Sequence, residues 1–392
     1  MDIHETVRTF TDYYREHGHE LLTGDTLMPP EGDDSVLFTT SGMHHLTPFL
    51  LGRPHPLGRR LTGVQRCLRT TDLEEVGDRS HLTVFEMLGS WSLGDYGSRQ
   101  SLSWGYRLLR EGFGLRPELL HVTVWGGDEQ VGPDTESLET WHELGVPVEL
   151  TREDNWWSNG PTGPCGPDSE IFVWTGEGQP VGTPTTDPGW VEVWNHVMMR
   201  YERLNDGSLI PLPQCGIDTG MGLERLLTIL QGTDSVYECD VFRPWRETIP
   251  TLWGLDGHEC RVVTDHLRSS MVVVGDGVRP SGNGRGYVLR RLLRRVLTIL
   301  WPEQGVLDDL PLDLYEHTLE HFGQLQGDGN GITPEFVRRV ILDEQRRFST
   351  TLERGRRLLS RWPSGRELDE ESLRFLHETH GLSPELVRVL VA

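Results

Sequence analysis

Lysine is absent from this chain: all 37 residues counted as lysine or arginine are arginine. Every strong cationic contact it can make is therefore a planar, permanently charged fork, suited to phosphate and carboxylate. The same usage is what a GC-rich coding sequence produces. Cysteine is scarce, and five residues at scattered spacings, an odd number, exclude a disulfide framework. Cys215, Cys239 and Cys260 with His258 lack any metal-ligand spacing, so no metal site is expected. No apolar run approaches the roughly 20 residues that cross a bilayer, and no membrane partner is expected. Met1 to Glu5 lack the basic and apolar regions of a signal peptide, and cytoplasm is the expected compartment. A net charge of −23 argues against a general nucleic-acid binder and leaves only local basic patches for such contact.

What is present suffices for a core. Hydrophobic residues make up 36% of the 392, with 13 tryptophans, so the chain folds and has room for two domains. Ile3, Val7, Phe10 and Tyr14 sit at helical spacing and predict an opening amphipathic helix over residues 3–18. Strands are expected at Val36–Thr39, Leu82–Met87, Val122–Trp125 and Val191–Tyr201. Residues 126–188, rich in glycine, proline and aspartate, read as long loops around a site. A helix over Leu223–Gln231 follows, entered through Gly220-Met221-Gly222. Beyond about residue 245 the pattern turns helical. Val288, Leu289, Leu292, Leu293, Val296, Leu297 and Leu300 share one face, and Arg290, Arg291, Arg294 and Arg295 form a basic stripe on another. Thr333 and Pro334 begin a helix that runs to about Leu359 and carries seven arginines, from Arg338 to Arg357.

Three segments carry candidate chemistry. In Gly216-Ile217-Asp218-Thr219-Gly220-Met221-Gly222-Leu223-Glu224-Arg225, a buried aspartate before a glycine-rich turn can hold an ammonium group. Arg225 can meet phosphate or stack on a base; the plainer reading is a tight turn with a surface arginine. Gln65-Arg66-Cys67-Leu68-Arg69 and Phe85 through Tyr96 read as two strands joined by a short turn, which would hold Arg69 over a nucleotide's phosphates. An ordinary hairpin with a solvated arginine is the alternative. Thr162-Gly163-Pro164-Cys165-Gly166-Pro167 reads as a rigid loop.

Together these segments resemble the class II aminoacyl-tRNA synthetases, and within them the alanine-specific family. The resemblance rests on Phe38-Thr39-Thr40-Ser41-Gly42-Met43 with Pro48, on Arg69 through Tyr96, and on Asp154-Asn155-Trp156-Trp157. It extends through Thr162–Pro167, Val193-Trp194-Asn195 and Asp218–Arg225. Thr264-Asp265-His266-Leu267-Arg268, Asp276-Gly277 and Gly284 through Arg291 are similar to the start of that family's helical tRNA-recognition domain. It implies an α+β fold, an antiparallel sheet flanked by helices over residues 1–245, then an all-helical domain over 246–392. By position it implies that Arg69 contacts the ATP α-phosphate, that Trp157 walls the adenylate pocket, and that Val193, Trp194 and Gly222 line the nucleotide. Arg225 and His81 also fall at ATP positions, while Asn195 and Asp218 hold the amino acid. Implied substrates and cofactors are ATP with Mg²⁺, alanine or a small related amino acid, and a tRNA acceptor stem met by Arg285, Arg290, Arg291, Arg294 and Arg295. In-line attack of a carboxylate on the α-phosphate needs positioning and cationic stabilisation more than covalent help, which suits these residues.

The sequence departs from that family at several positions. Arg69-Thr70-Thr71-Asp72 passes directly into Leu73-Glu74-Glu75, where the family has a longer acceptor loop. His81-Leu82 stands for a pair of histidines, Asp168 for a cysteine, and Trp301 for an asparagine that helps read a G·U pair. No editing or C-terminal oligomerisation segment is expected in these residues, and a monomer or weak dimer is implied. Two acceptors therefore remain open: a tRNA, or a carrier protein, peptide or small-molecule amine served by a paralogue that keeps adenylation.

Overall fold

The computed structural model describes residues 1–30, 36–158, 160–302, 305–325, 331–362, 368–382 and 384–391. They form two compact units, residues 1–69 with 85–241, and residues 70–84 with 242–392.

The first unit is built on strands β1 (Glu20–Leu22), β2 (Arg60–Leu68), β3 (Val84–Ser92), β4 (Leu120–Trp125), β5 (Val148–Thr151), β6 (Trp156–Ser158), β7 (Gly163–Trp174), β8 (Trp190–Arg203) and β9 (Leu209–Gly222). Their order is β1-β2-β3-β9-β8-β7-β4-β5, with β6 also on β7. The central pairs β3–β9, β9–β8, β8–β7 and β7–β4 are antiparallel. The pairs β1–β2 and β4–β5 are parallel. Helices α1 (Ile3–Glu16), α2 (Thr47–Leu50), α3 (Ser98–Arg107), α4 (Thr135–Leu144) and α5 (Leu223–Gln231) belong to the same unit. Helix α1 begins where the Asp2 side chain accepts the Glu5 amide at 2.8 Å, and it buries Ile3, Phe10 and Tyr14. Phe10 meets Trp194 of β8 at 5.7 Å, and Ser101 of α3 bonds His196 at 2.9 Å. Alternate β8 residues face the other way, where Val197 joins a cluster with Met43, Leu50, Trp91 and Met199.

The second unit contains α6 (Arg243–Trp253), α7 (Gly257–Gly275), α8 (Gly284–Leu300), α9 (Leu312–His321), α10 (Pro334–Leu359), α11 (Glu370–His380) and α12 (Pro384–Val391). No helix among the described residues is long and apolar enough to cross a membrane. Helix α8 buries Val288, Leu289, Leu292, Leu293, Val296, Leu297 and Leu300, the face its periodicity predicts. Helix α10 starts where the Thr333 hydroxyl accepts the Phe336 amide at 3.2 Å, also as predicted.

Residues 70–84 are held within this second unit. Thr83 donates its amide to Asp265 at 2.8 Å, and its hydroxyl to the same carboxylate. The Val84 amide donates to Ser269 at 3.2 Å, and Arg268 donates to the Val84 carbonyl at 2.8 Å. Arg295 donates to the Leu73 carbonyl at 2.7 Å, Arg261 donates to that of Gly77 at 2.6 Å, and Arg291 pairs with Glu74. Buried His266 donates Nδ1–H to Asp265 at 2.8 Å, which leaves Nε2 as the acceptor facing Arg295 at 3.5 Å. Burial is the main cause that holds the His266 pKa below its ordinary value.

Several expectations are corrected. The connection between β2 and β3 is no short turn: it runs from Arg69 to Thr83, with a short helical turn at Thr71–Glu74. The strand expected at Leu82 begins at Val84, because Thr83 is committed to Asp265. Val36–Thr39 forms no strand; Thr39 instead donates its amide to Leu27 and accepts that of Leu68. Residues 126–188 hold α4, β5, β6 and β7 rather than only loops. Thr162–Pro167 is largely the start of β7, whose register shifts between Cys165 and Asp168 accommodate its prolines. The glycines of residues 216–222 likewise lie in β9, not in a turn.

Gly166 explains why a glycine-rich run can be a central strand. A β-carbon there would overlap the Met198 carbonyl oxygen on β8. Gly166→Ala is expected to destabilise the protein by about 1–3 kcal/mol, as overpacking of a rigid backbone does, measured by denaturant unfolding. An unchanged midpoint would mean that β7 and β8 do not approach this closely.

Candidate active site

The face of the sheet opposite α1 carries two cross-strand rungs. Trp91, Asp218, Val197 and Asp168 are paired in sequence across β3, β9, β8 and β7. Gly89, Gly220, Asn195 and Glu170 form the neighbouring rung. Directly opposed residues share a face, so this patch combines three carboxylates, a carboxamide, an indole and a pair of glycines.

Asp218 is 5% exposed, and the Trp91 indole donates to its Oδ1 at 2.6 Å. Burial raises its pKa to about 7, while the indole hydrogen bond works in the opposite direction. The Trp91 ring has a fixed seat. A β-carbon on Gly42 would lie 2.7 Å from the ring, and one on Gly89 would overlap it. Ser90 and Thr219 join the same two strands by a buried hydroxyl pair at 2.9 Å.

Asp168 is also buried, and its pKa is pushed up to about 7 by desolvation. It accepts from Asn155 at 2.8 Å and from Asn195 at 3.2 Å. Asn155 in turn donates to Thr123 at 2.9 Å and accepts from Thr151 at 2.6 Å, so its carboxamide is fully used. Asn195 differs: its Nδ2 is engaged, while its Oδ1 is buried without a hydrogen-bond partner. Such an orphaned acceptor is what a ligand N–H would satisfy. Glu170 has its pKa raised to about 9, first by burial and then by the charges of Glu192, Asp168 and Asp154.

The two arginines expected to meet phosphate arise beside this patch. The Arg69 guanidinium lies 5.2 Å from the centre of the Phe85 ring, with Nε 3.4 Å from the Thr40 carbonyl oxygen. Arg225 donates to Glu192 Oε2 at 2.8 Å and is half-buried. The Glu86 amide donates to Glu224 at 3.1 Å, which ties the residue after Phe85 to the residue before Arg225. Gly222 caps α5 between Asp218 and Arg225.

The remaining expected residues divide. Trp157 is half-buried and packs against the cluster containing Trp91 and Val197. Val193 is buried on β8, but the Trp194 indole turns toward Phe10 and Tyr14 of α1, leaving only its backbone to the other side. His81 lies in the second unit, its ring nitrogens 2.6 Å from Asp78 and 3.0 Å from Glu75. The basic stripe of α8 is largely committed within that unit. Arg290 and Arg294 converge on fully buried Glu344 at 3.6 and 2.9 Å, Arg291 pairs with Glu74, and Arg295 holds Leu73. Arg285 is also partnered. Trp301 lies 4.7 Å beneath the Arg356 guanidinium. Sequence reasoning gave no site role to Trp91, Glu170 or Glu192, and noted Asp168 only as a departure. The signal was a pair of acids two residues apart, on one face of a strand later seen to be central.

Among the described residues, no group of three or more His, Cys, Asp or Glu could hold a metal ion. Because the folded Glu170 keeps its proton to about pH 9, stability should fall as pH rises from about 4.5 to 9 and then level off. Thermal unfolding of Glu170→Gln checks this: its advantage over the parent should widen from pH 5 to pH 8. A pH-independent gap would remove Glu170 from the buried acids.

The family model for tRNA synthetases class II (A) matches residues 5–392. An alanine–tRNA ligase of Rubrobacter xylanophilus is 40% identical over 415 residues, covering 99% of this chain and 47% of that protein. One from Treponema pallidum is 40% identical over 408 residues, covering 96% and 66%. Another from Borrelia hermsii is 36% identical over 415 residues, covering 100% and 69%. The chain thus spans about half to two-thirds of the length of these relatives.

Proposed function

Because the chain belongs to the class II (A) tRNA synthetases, we propose that it activates alanine with ATP and passes it to the 3′ end of a tRNA. The carrying observation is Asp218, a buried carboxylate fixed by Trp91 beside the unpartnered Oδ1 of Asn195. An α-ammonium needs an acid and further acceptors in one place, which Asp218 and Asn195 supply. Residues 1–245 are read as the aminoacyl-adenylate-forming domain and 246–392 as the tRNA-recognition domain, with residues 70–84 packed in one compact unit with residues 242–392.

In this reading Asp218 and Asn195 hold the amino acid, and Trp157 closes the pocket. Val193, Gly222 and the Trp194 backbone line the nucleotide. The alanine carboxylate oxygen attacks the α-phosphorus, that bond forms as the bond to pyrophosphate breaks, and pyrophosphate leaves. Arg69 and Arg225 stabilise the charge that gathers on the phosphates. A hydroxyl of the terminal adenosine of tRNA then attacks the carbonyl, AMP leaves, and the ester forms. Magnesium would accompany ATP, its charge offsetting that of the phosphates, and no step is assigned to it. The second reading, a non-tRNA acceptor, draws on the commitment of Arg290, Arg291, Arg294 and Arg295 to partners inside their own unit.

Alanine-dependent ATP–pyrophosphate exchange, followed by charging of alanine tRNA, separates these readings. Exchange with charging supports the ligase; exchange without it supports the other acceptor; no exchange removes both. Asp218→Ala should abolish exchange, and near-parental exchange would take Asp218 out of the site. Arg69→Ala should cost about 2–4 kcal/mol in the transition state, seen in kcat, as loss of an oxyanion donor does. An effect confined to KM would make Arg69 a binding residue only.

The pH dependence has a defined sign. Only ionised Asp218 pairs with ammonium, so the KM for alanine should fall as pH rises through about 7. Trp91→Phe removes the hydrogen bond that favours ionisation and should move that midpoint to higher pH. An unshifted profile would mean that another group controls binding.

A further inference from the structure

Alanine occurs once in these 392 residues, as Ala392. Alanine and lysine are normally among the commonest residues, and base composition explains only one of the two losses. Lysine codons are adenine-rich, so a GC-rich gene trades lysine for arginine. Alanine codons begin with G and C, as glycine and proline codons begin with G or C doublets. The bias that gives 37 arginines, 45 glycines and 24 prolines should raise alanine, not remove it.

The fold does not require the loss. At some positions a β-carbon is barred: one on Gly105 would lie 2.8 Å from the His196 ring. Elsewhere alanine fits and is the better helix former. Thr251, Ser349 and Thr350 are exposed positions in the interiors of α6 and α10. Their hydroxyls turn back onto the carbonyls of Glu247, Gln345 and Arg346 at 3.1, 3.1 and 3.2 Å. Thr351 and Thr298 do the same with Arg347 and Arg294. This back-bonding weakens a helix slightly, and alanine has the highest helix propensity of all residues. The sequence thus avoids alanine at sites where folding favours it, against the trend of its own codon usage.

We propose that the chain serves as an alanine-charging enzyme for conditions in which alanyl-tRNA is scarce, because making residues 1–391 consumes none. The inference rests on the ligase reading above. An enzyme that needs its own product throughout its synthesis cannot be replenished once that product runs out; residues 1–391 of this one call for none, and Ala392 is the one demand in the sequence. Its chemistry is then the step that restores the pool after the pool has collapsed.

The test uses as parent the 392-residue chain with Ala392→Gly, so that no codon calls for alanine, in cells whose resident alanine-charging enzyme is switched off before this chain is induced. The parent is expected to accumulate and alanine tRNA to become charged again. One variant combines Thr251→Ala, Thr298→Ala, Ser349→Ala, Thr350→Ala and Thr351→Ala; the other leaves the fold alone and inserts a short run of alanines after Met1. Both should accumulate like the parent in alanine-replete cells and lose accumulation when induced after the switch-off. Equal accumulation of parent and variants after the switch-off overturns the proposal. Parent accumulation with alanine tRNA still uncharged overturns the ligase reading on which it rests.

Discussion

The hydrogen bond from the Trp91 indole to Asp218 organises the centre of the first unit. A carboxylate buried to this degree would ordinarily be neutral or absent, since desolvation of its charged form is costly. The indole lowers that cost at one oxygen and fixes its direction. For the indole to reach, its ring must lie flat where Gly42 and Gly89 have no side chains. Gly42 and Gly89 therefore belong to packing around one tryptophan more than to chain flexibility, while Gly216 and Gly220 of β9 make room for Leu50 and Met87. The core beneath, with Met43, Leu50, Val197 and Met199, then supports the same ring.

A second theme is the use of arginine in an acidic chain. Within the helical unit, Glu344 is fully buried yet meets Arg290 and Arg294, so the charge is compensated where it is desolvated. Arg268 lies between Phe242 and Phe322, at 4.8 and 4.7 Å from their ring centres, while donating to Val84. With no lysine to use, this unit builds its interior electrostatics from planar forks that stack and hydrogen-bond together. Four arginines of the basic stripe seen in the sequence thus also hold partners within this unit.

The helices were legible because their signals are local. Asp2 and Thr333 cap as their types require, and the apolar face of α8 follows its period. Asp218, Asn195, Arg69 and Arg225 were legible as members of motifs, and the first two fall on adjacent rungs. The partners that set their properties were not. Trp91 reaches Asp218 across a strand pair, Asn155 reaches Asp168 through a corner of the chain, and Glu192 reaches Arg225 from β8. Strand β7 was hidden because glycine and proline, which ordinarily break strands, are there required by a close backbone approach and a register shift. Long-range pairing of this kind leaves no periodic trace.

The clamp on Thr70–Val84 bears on how such a chain can be taken apart. Two strands of one sheet are joined by a segment whose hydrogen-bonding partners, Asp265, Arg268 and Ser269, are encoded nearly two hundred residues later. The order of the chain and the order of its compact units therefore differ. No single cut yields two pieces each complete in itself: severed after residue 241, the earlier piece keeps a segment that belongs to the later one. Shuffling of these halves between relatives would have to carry matched residues on both sides of the joint.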